Sequence, residues 1–288
     1  MRVARRVAEL EERPRAVAVG TFDGVHLGHH RVLAAAVTSG LTSTVVTFDP
    51  HPRVALGYEV RLVSTLERRL ELIAELGIED VLIVEFDLDL AQLGPDEFAN
   101  AVLRPIGAEV VLAGANFRFG RGRSGNLALL EQLGFDARPV PLLEGVSSSR
   151  VRELLAAGEV ETTARLLGRP AEVEGTVVAG DARGGTLGFP TANLRLDPEL
   201  LVPAYGIYAG AAEGHRAAIS IGTNPHYGGE ERRVEAYLLD FDGDLYGRRL
   251  VLQLWRRLRD EQAFETEAAL VEQITADVRQ ARETEPPA

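Results

Sequence analysis

The stretch that decides the fold is AVAVGTFDGVHLGHHRVLAAA, from Ala16 to Ala36. An apolar run of strand type leads into a turn with three glycines, and the turn leads into a segment of helical type. Glycines let the backbone approach an anion closely, and the first turn of a helix offers unpaired N–H groups and a partial positive charge. The stretch therefore predicts a phosphate-binding turn between a strand and a helix.

Two histidines, His26 and His29, lie in this turn and share one face of the opening helix because they are three residues apart. Both imidazoles could donate hydrogen bonds to a phosphoryl group whose negative charge rises during transfer. A zinc site is the alternative, which we weigh lower because the chain has no cysteine and no further ligands stand near the pair in the sequence. A glycine-rich turn alone is common in doubly wound folds, so the histidines make this one specific.

The chain has 288 residues, a formal net charge of −12 and 31 basic residues, every one of them arginine. Without lysine, a P-loop, a protein-kinase-like site and Schiff-base chemistry are excluded, so backbone N–H groups, histidine and arginine must bind phosphate. The absence of cysteine excludes disulfides and a thiolate nucleophile. The acidic charge argues against nucleic acid and anionic membranes as partners. Because no run resembles a signal peptide or a membrane span, we expect a cytoplasmic protein.

The first half of the sequence alternates apolar runs with helical patterns, which predicts a Rossmann-like parallel sheet with helices on both faces. The predicted strands are Ala16–Val19, Thr44–Phe48, Val81–Phe86, Val110–Ala113 and Arg138–Pro141. After the second strand, the capping box Ser64–Glu67 predicts a helix that ends before Gly77. Its buried face is expected to carry Leu66, Leu70, Ile73 and Leu76.

The second half shows short strand patterns separated by glycine-rich turns, which predicts a small antiparallel β-barrel and, with the first half, an α/β + β fold class. The predicted strands are Glu174–Ala179, Gly206–Ala211, Ala217–Ile221, Val234–Asp240 and Leu250–Arg256. A C-terminal helix is expected to bury a stripe of Leu270, Val271, Ile274 and Val278. We divide the chain into a first domain of residues 1–157, a helical connector of residues 158–170 and a second domain of residues 171–288.

Ligands bind beyond the carboxyl ends of the strands in an open parallel sheet, so the segments that follow the predicted strands are candidates. Besides the opening turn they are TFDPHP at 47–52, GANFRFGRGRSG at 114–125 and VSSSRVR at 146–152. In the third segment, two phenylalanines alternate with arginine, which suits an aromatic heterocycle beside a phosphate but also fits a strand end. In the fourth, serines before a helix could offer hydroxyl and N–H groups to a phosphate, and a plain serine N-cap is the alternative.

In order and spacing over roughly residues 14–157, the four segments resemble the nucleotidyltransferase domain of bacterial bifunctional riboflavin kinase/FAD synthetase. The resemblance implies that FMN phosphate attacks the α-phosphorus of ATP, aided by magnesium, and releases pyrophosphate as FAD forms. Charge stabilisation in this reaction would fall to His26, His29 and Arg152. The flavin would lie by Asn116, Phe117 and Phe119, and Asn116 stands where many members have aspartate.

The second half contains GDARGGTLGFPTAN at residues 180–193, which resembles the riboflavin kinase motif that ends in PTAN. Thr191 and Asn193 alternate on one side of an extended chain, so a hydroxyl and an amide oxygen could bind one Mg²⁺ together with ATP oxygens. Compared with the family, the chain has Gly185 in place of an arginine and His226 in place of a threonine. Both changes are expected to weaken phosphate or flavin contacts.

Glu235 places an acid within an otherwise apolar strand pattern, where a carboxylate near a substrate hydroxyl can act as general base. The family assigns this residue that role toward the ribityl 5′-hydroxyl, which attacks the γ-phosphorus of ATP, and a solvent-facing strand position is the alternative. Arg259 by resemblance contacts flavin or nucleotide, whereas a surface ion pair with Asp260 or Glu261 is the ordinary alternative. The kinase resemblance covers about residues 171–278.

The two resemblances imply a bifunctional enzyme that phosphorylates riboflavin to FMN and adenylylates FMN to FAD, with ATP and Mg²⁺ at both sites. The expected ATP-binding residues are Gly20, Phe22, Gly28, Ser148, Ser149, Gly180 and Gly188. Two alternatives are a flavin-binding sensor with one or both sites inactive and a nucleotidyltransferase for another phosphate acceptor. The partners expected are the small-molecule substrates, and the sequence is compatible with a monomer and with a homo-oligomer.

Overall fold

The computed structural model describes residues 1–180, 187–223 and 232–287. The chain forms two compact units, and we describe each by itself. The first unit comprises Met1–Val60 and Thr65–Ser148, and the second comprises Arg61–Ser64 and the chain from Ser149 onward. In the part of the chain so described, no helix has the length and apolar character needed to cross a membrane.

The first unit is built on a six-stranded parallel sheet with the strand order β1-β4-β3-β2-β5-β6. Its strands are β1 (Arg2–Ala4), β2 (Arg15–Val19), β3 (Thr42–Asp49), β4 (Asp80–Glu85), β5 (Ala108–Gly114) and β6 (Asp136–Val140). Each of the five strands predicted for this half overlaps one of these elements, and the predicted Val81–Phe86 and Arg138–Pro141 each extend one residue beyond β4 and β6. The edge strand β1 has only three residues and was not predicted, because its pairing with β4 leaves no local pattern.

Both faces of the sheet are covered, which explains why the residues of β2 and the middle of β3 are buried without alternation. In β2, Ala16 and Ala18 belong to one hydrophobic cluster, while Val17 and Val19 belong to another on the opposite face. The helices of this unit are α1 (Leu27–Val37), α2 (Pro52–Ala55), α3 (Leu66–Glu75), α4 (Leu88–Gln92), α5 (Pro95–Phe98) and α6 (Leu127–Gln132). Short 3-10 turns lie at Val7–Glu9 and Arg121–Arg123, and a π-turn lies at Ala99–Leu103.

Helix α3 begins one residue later than the predicted capping box implied. Thr65, not Ser64, is the N-cap, and its side chain accepts a 3.0 Å hydrogen bond from the backbone N–H of Arg68. Gly77 has a φ of +85° just beyond the helix, as expected for a residue that ends it. The predicted buried face is present but incomplete, since the buried residues of the helix are Arg69, Leu72 and Ile73.

The second unit contains a closed six-stranded barrel with the order β10-β11-β8-β7-β12-β9. The strands are β7 (Ala171–Val178), β8 (Ala192–Leu196), β9 (Gly206–Ala212), β10 (His215–Thr223), β11 (Arg232–Leu238) and β12 (Arg249–Arg259), and all their pairings are antiparallel. Closure removes unpaired strand edges. The strand β8 was predicted only as an extended chain, while the other strands match predicted runs.

Three further helices accompany the barrel: α7 (Ser148–Ala156), which lies in this unit from Ser149 onward, α8 (Val160–Leu167) and α9 (Glu267–Glu283). Helix α8 lies in the predicted connector and ends at Gly168, whose φ of +73° is left-handed. The apolar stripe predicted for α9 is only half-buried, and the buried residues of this helix are Asp277 and Ala281. The ion pair between the buried Asp277 and Arg259 of β12 fixes α9.

Candidate functional site

The turn between β2 and α1 adopts the left-handed conformation at three positions. Phe22, Gly24 and Val25 have φ values of +51°, +76° and +38°, and the N–H of Val25 donates to the carbonyl of Phe22 at 3.0 Å. Left-handed backbone is strained for a residue with a side chain, most of all for a β-branched valine. Phe22 and Val25 are buried, so their packing holds the turn in this shape.

His26 caps the helix that follows the turn. Its Nδ1 accepts a 3.3 Å hydrogen bond from the backbone N–H of His29, so the ring proton of a neutral His26 sits on Nε2. The two imidazole rings stack with their centroids 3.6 Å apart and an angle of 14° between the planes. Gly28 makes room for this arrangement, because a Cβ there would lie 3.0 Å from the His26 ring. The sequence correctly predicted that both histidines share one face.

The pKa of His29 lies well below its ordinary value of 6.5. Burial is the largest cause, and the charges of His26, His30 and Arg69 lower it further. His29 is therefore neutral near pH 7 and has a single ring N–H to donate. The edge of the Phe22 ring packs against it at a centroid distance of 5.2 Å, and its buried Nδ1 has no hydrogen-bond partner among the described residues.

Ser148 contacts the β2–α1 turn through its side chain. Its hydroxyl donates a 3.0 Å hydrogen bond to the carbonyl of Asp23, which places the first residue of α7 beside the turn. Ser149 and Arg152 follow on the same helix and belong to the second unit. Gly20, at the start of the turn, lies against the Phe22 ring, where an added Cβ would be 3.2 Å away.

Sequence reasoning missed one charged residue that contacts this turn. Arg69 in α3 is buried, and its Nη1 donates a 2.7 Å hydrogen bond to the carbonyl of Thr21. A signal was present in the sequence, because Arg69 lies three residues after Leu66 and four before Ile73, on the face predicted to be apolar. An arginine on a buried helix face needs polar partners, so its position marks a buried polar contact.

The aromatic residues predicted to lie by the flavin follow β5. Phe117 and Phe119 stack with centroids 5.4 Å apart, while Phe119 is buried in a core cluster and also contacts Phe98. Asn116 is exposed and Phe117 is half-buried. Asn116 and Phe117 are thus the accessible members of the predicted set, and Phe119 supports Phe117 from the core side.

Four of the residues predicted for the kinase site, Gly180, Thr191, Asn193 and Glu235, come together in the second unit. Asn193 in β8 pairs directly with Glu235 in β11, and the hydroxyl of Thr191 donates a 3.3 Å hydrogen bond to Oε2 of Glu235. Gly180 packs against the Asn193 amide so closely that an added Cβ would lie 2.3 Å from its nitrogen. The hydroxyl, the amide and the carboxylate therefore share one small area.

This area lies on the outer face of the barrel. Along β11, Val234 and Ala236 are buried in the barrel core, whereas Glu235 and Tyr237 between and after them are half-buried. Phe189 packs edge-on against the Tyr237 ring at 5.5 Å, beside Glu235. Gly188 adopts a φ of +88° next to Phe189. The residues Gly185 and His226 lie outside the described residues.

Arg259 is held by a partner that the sequence did not reveal. Its guanidinium forms hydrogen bonds of 2.7–3.2 Å with both carboxylate oxygens of Asp277 in α9, and Asp277 also accepts from Gln273 at 2.9 Å. The alternative predicted from the sequence was a surface ion pair with Asp260 or Glu261. Arg259 does form an ion pair, but its partner is the buried Asp277. The contact docks the polar side of α9 onto the end of β12.

Within the described ranges, no group of three or more His, Asp or Glu side chains is arranged to hold a metal ion. The zinc alternative for His26 and His29 therefore gains no support from the structure. Thr191 and Asn193 offer a hydroxyl and an amide oxygen, which are hard ligands of the kind that Mg²⁺ accepts together with substrate phosphates. Of the two metals, magnesium fits the residues present.

A turn with two stacked histidines at a helix N-terminus beside a parallel sheet, and a carboxylate beside a Thr–Asn pair on a barrel, are features that suit a two-domain transferase that uses ATP. Comparison with known proteins gives the particular family. The family model for FAD synthetase matches residues 8–148, and the family model for riboflavin kinase matches residues 167–285.

Relatives match over nearly the whole chain. The bifunctional riboflavin kinase/FMN adenylyltransferase of Listeria monocytogenes is 33% identical over 287 residues, which cover 93% of this chain and 91% of the relative. That of Escherichia coli (strain K12) is 34% identical over 306 residues, which cover 98% and 97%. A crystal structure from Streptococcus pneumoniae, described as a macrolide-efflux protein, superposes with a TM-score of 0.88 at 30% identity and covers 98% and 99% of the two chains.

The chain belongs to the bifunctional riboflavin kinase/FMN adenylyltransferase family. It is an enzyme with both activities, and its substrates are riboflavin, FMN and ATP. The fold class and the bifunctional interpretation drawn from the sequence are confirmed. Neither the sensor nor a nucleotidyltransferase for another acceptor is supported.

Proposed function

We propose that the two reactions occur at separate sites, adenylyl transfer at the β2–α1 turn and riboflavin phosphorylation on the outer face of the barrel. Support for the first site comes from the stacked histidines at a helix N-terminus, which is a favourable place for an anion. Support for the second is the hydrogen bond from Thr191 to Glu235, the observation that carries the kinase assignment. The proposed domains are residues 1–157 and 171–288, joined by residues 158–170.

At the first site, an oxygen of the FMN phosphate attacks the α-phosphorus of ATP. The bond between the α-phosphorus and the oxygen that bridges it to the β-phosphorus breaks, and pyrophosphate leaves. Backbone N–H groups of the turn bind the phosphates, with contacts from Gly20, Phe22 and Gly28. The single N–H of a neutral His29 and Nε2–H of His26 donate to oxygens whose charge rises in the transition state. Ser148 belongs to this site through its bond to the turn. Ser149 and Arg152 remain proposed nucleotide ligands on the sequence resemblance.

The flavin of FMN is proposed to contact Asn116 and Phe117, with Phe119 behind them. The exposed amide of Asn116 can exchange hydrogen bonds with the polar edge of the isoalloxazine ring. The half-buried Phe117 offers a ring face for stacking. Because an amide replaces the carboxylate common in the family, recognition here uses neutral hydrogen bonds.

At the second site, Glu235 accepts the proton of the ribityl 5′-hydroxyl as its oxygen attacks the γ-phosphorus of ATP. The Thr191 hydroxyl donates to Oε2 and so orients the carboxylate, and its oxygen lone pairs stay available to a cation. Thr191 and Asn193 would hold Mg²⁺, which neutralises charge on the ATP phosphates when bound. Gly180 and Gly188 let the chain approach ATP, and Arg259, fixed by Asp277, is proposed to contact flavin or nucleotide.

Single substitutions in the full chain test this assignment. His29→Ala is expected to reduce FAD formation by about 100- to 1000-fold while FMN accumulates from riboflavin. Glu235→Gln is expected to reduce FMN formation by about 100-fold or more while added FMN is still converted to FAD. Products are separated by chromatography after incubation with riboflavin or FMN, ATP and Mg²⁺.

Matched controls are His30→Ala, in the next residue of α1, and Glu172→Gln, a half-buried carboxylate on the barrel strand β7. Both controls should keep both activities within a few-fold. If His29→Ala or Glu235→Gln lost both activities while remaining folded, the assignment to separate sites would be wrong. If His29→Ala made FAD at the normal rate, the β2–α1 turn would not be the adenylyl transfer site.

We further propose that the enzyme acts in the cytoplasm on small molecules and without nucleic acid. The support is the formal net charge of −12, which opposes binding to polyanions. An electrophoretic mobility assay at low salt should show no binding to duplex DNA or RNA. Light scattering of the purified chain distinguishes a monomer from a homo-oligomer.

A further inference from the structure

Arg69 is a buried cation in the first unit that the reaction scheme above does not use. Only 2% of its surface is exposed, and it lies on the face of α3 that packs on the sheet between Leu66 and Ile73. Burying a guanidinium among apolar residues costs free energy unless its N–H groups and charge have partners. Those partners show what the residue does.

The guanidinium joins the carboxyl ends of two neighbouring strands. Nη1 of Arg69 donates to the carbonyl of Thr21 at 2.7 Å, and it lies 3.5 Å from both the Thr47 hydroxyl and the Phe48 carbonyl. The Thr47 hydroxyl itself donates to the Thr21 carbonyl at 3.3 Å. One carbonyl, two residues beyond β2, therefore receives two donors, one from α3 and one from β3.

That carbonyl belongs to the peptide unit that enters the strained part of the phosphate-binding turn. Its nitrogen is the backbone nitrogen of Phe22, whose φ of +51° carries a conformational cost for a residue with a side chain. A peptide plane fixed on one side limits the rotation that would relieve this strain. The orientation of the N–H groups that follow therefore depends on the Thr21 carbonyl staying in place.

Arg69 also acts on the histidine of the turn through its charge. The pKa of His29 is lowered mainly by burial and then by the charges of His26, His30 and Arg69. The pKa of Arg69 is itself lowered by burial, against the opposing effect of the carboxylates of Asp23 and Asp49. Since arginine stays protonated at neutral pH, its positive charge favours the neutral imidazole of His29.

We propose that Arg69 is a positioning residue for adenylyl transfer, which fixes the Thr21 carbonyl and thereby the turn and the imidazole that meet the nucleotide. It is not a phosphate ligand itself, because its side chain is closed off from solvent: Nη1 is engaged by the Thr21 carbonyl, and Nε is buried without a hydrogen-bond partner among the described residues. This inference rests on the proposed assignment of adenylyl transfer to the β2–α1 turn.

The test compares Arg69→Met, which removes the donors and the charge, with Arg69→Lys, which keeps the charge. Arg104→Met is the control, since Arg104 is an exposed arginine of the same unit. Arg69→Met should lower kcat/KM for FAD formation by about 100-fold, the effect of small misplacements in an active site, and leave riboflavin phosphorylation within two-fold. Arg69→Lys should recover part of the loss, and Arg104→Met should behave as the natural protein.

A titration of the His29 ring by NMR gives a readout that general loss of structure does not mimic. Removing a positive charge raises the pKa of His29, so Arg69→Met should shift its titration to higher pH, while Arg69→Lys should leave it in place. The proposal is overturned if Arg69→Met forms FAD normally, or if the titration of His29 is the same in all variants. Should Arg69→Met fail to fold, an Arg69→Lys protein with unchanged kcat/KM and KM for ATP overturns it.

Failure of the site assignment gives a different pattern. In that case His29→Ala keeps its FAD activity, while the NMR shift in Arg69→Met still reports whether Arg69 acts on His29.

Discussion

Replacing Asp80 by asparagine tests how strongly one buried ion pair holds the parallel sheet. Asp80 begins β4, and its carboxylate bonds to the guanidinium of Arg15 in β2, whose side chain is fully buried. Arg15 also donates to the Ile106 carbonyl at 2.8 Å and to the Thr44 hydroxyl at 2.9 Å, and Arg13 donates to Asp80 at 2.8 Å. Strands β2, β3 and β4 and the segment before β5 thus meet at this ion pair.

Asp80→Asn keeps the shape and one acceptor oxygen but leaves the Arg15 charge buried without a counterion. Removing one partner of a buried ion pair costs about 3–5 kcal/mol, and the retained oxygen places this variant near the lower end, at about 3 kcal/mol. Since about 1.4 kcal/mol corresponds to a factor of ten, local opening of β3 and β4 should become about 100-fold more frequent. Hydrogen exchange of the amides in these strands measures that opening.

The matched control is Asp136→Asn, which removes the partner of Arg138 at the start of β6. Both of those side chains are 53% exposed, so the pair is worth about 1 kcal/mol or less. Trp255, the single tryptophan, lies in β12, and its fluorescence in urea reports the second unit, which neither variant should change. Equal exchange rates of the β3 and β4 amides in Asp80→Asn and Asp136→Asn would show that the buried ion pair does not hold these strands.

The pH dependence gives a second check on the same residue. Burial alone would raise the pKa of Asp80, but hydrogen bonds from Arg15 and Arg13 outweigh it and hold the pKa below 3.8. A carboxyl with a depressed folded-state pKa contributes stability above its unfolded pKa and loses it as the pH falls through the folded value. The difference in stability between the natural protein and Asp80→Asn should therefore be constant near neutral pH and shrink only below about pH 4.

Three further substitutions follow from single contacts. Gly180→Ala places a Cβ 2.3 Å from the Asn193 amide nitrogen. The variant should lower the rate of riboflavin phosphorylation by about 100-fold and leave adenylyl transfer intact, and equal loss of both activities would contradict this. Asp277→Asn leaves Arg259 without its counterion and should lower the unfolding free energy of the second unit by about 3 kcal/mol. Urea unfolding followed by Trp255 fluorescence measures this change, and a value below about 1 kcal/mol would contradict the prediction. Thr65→Ala removes the N-cap of α3 and should cost about 1 kcal/mol by hydrogen exchange of that helix, and unchanged exchange of the first turn would contradict this.

The sequence predicted most of the parallel sheet because each long strand has its signal within its own residues. Strands covered on both faces are rich in apolar residues, and the runs at 16–19 and 81–84 show this directly. The turn between β2 and α1 was predictable for a related reason, since its glycines and histidines all lie within residues 20–29. Helix capping was predicted less well, because Ser64 and Thr65 are equally good N-caps and only the geometry decides between them.

Contacts between distant segments were not predictable from local patterns. The strand β1 has three residues and exists because it pairs with β4, which follows more than seventy residues later. The five-residue strand β8 is likewise defined by its neighbours β7 and β11. A short segment carries too little periodicity to be distinguished from an extended loop.

For the functional residues, too, the sequence indicates which residues matter but not which distant residues they contact. Resemblance placed Glu235 and Thr191 in one site, and the register between β8 and β11 explains why they meet. The resemblance also placed Arg259 in the kinase site. The carboxylate that orients Arg259 belongs to Asp277 in α9, and no sequence motif predicts which residue of α9 faces β12. Arg69 is the instructive case, because an arginine on the apolar face of α3 can be recognised from spacing alone. What spacing does not identify is the Thr21 carbonyl, since that contact requires α3 to pack against the end of β2.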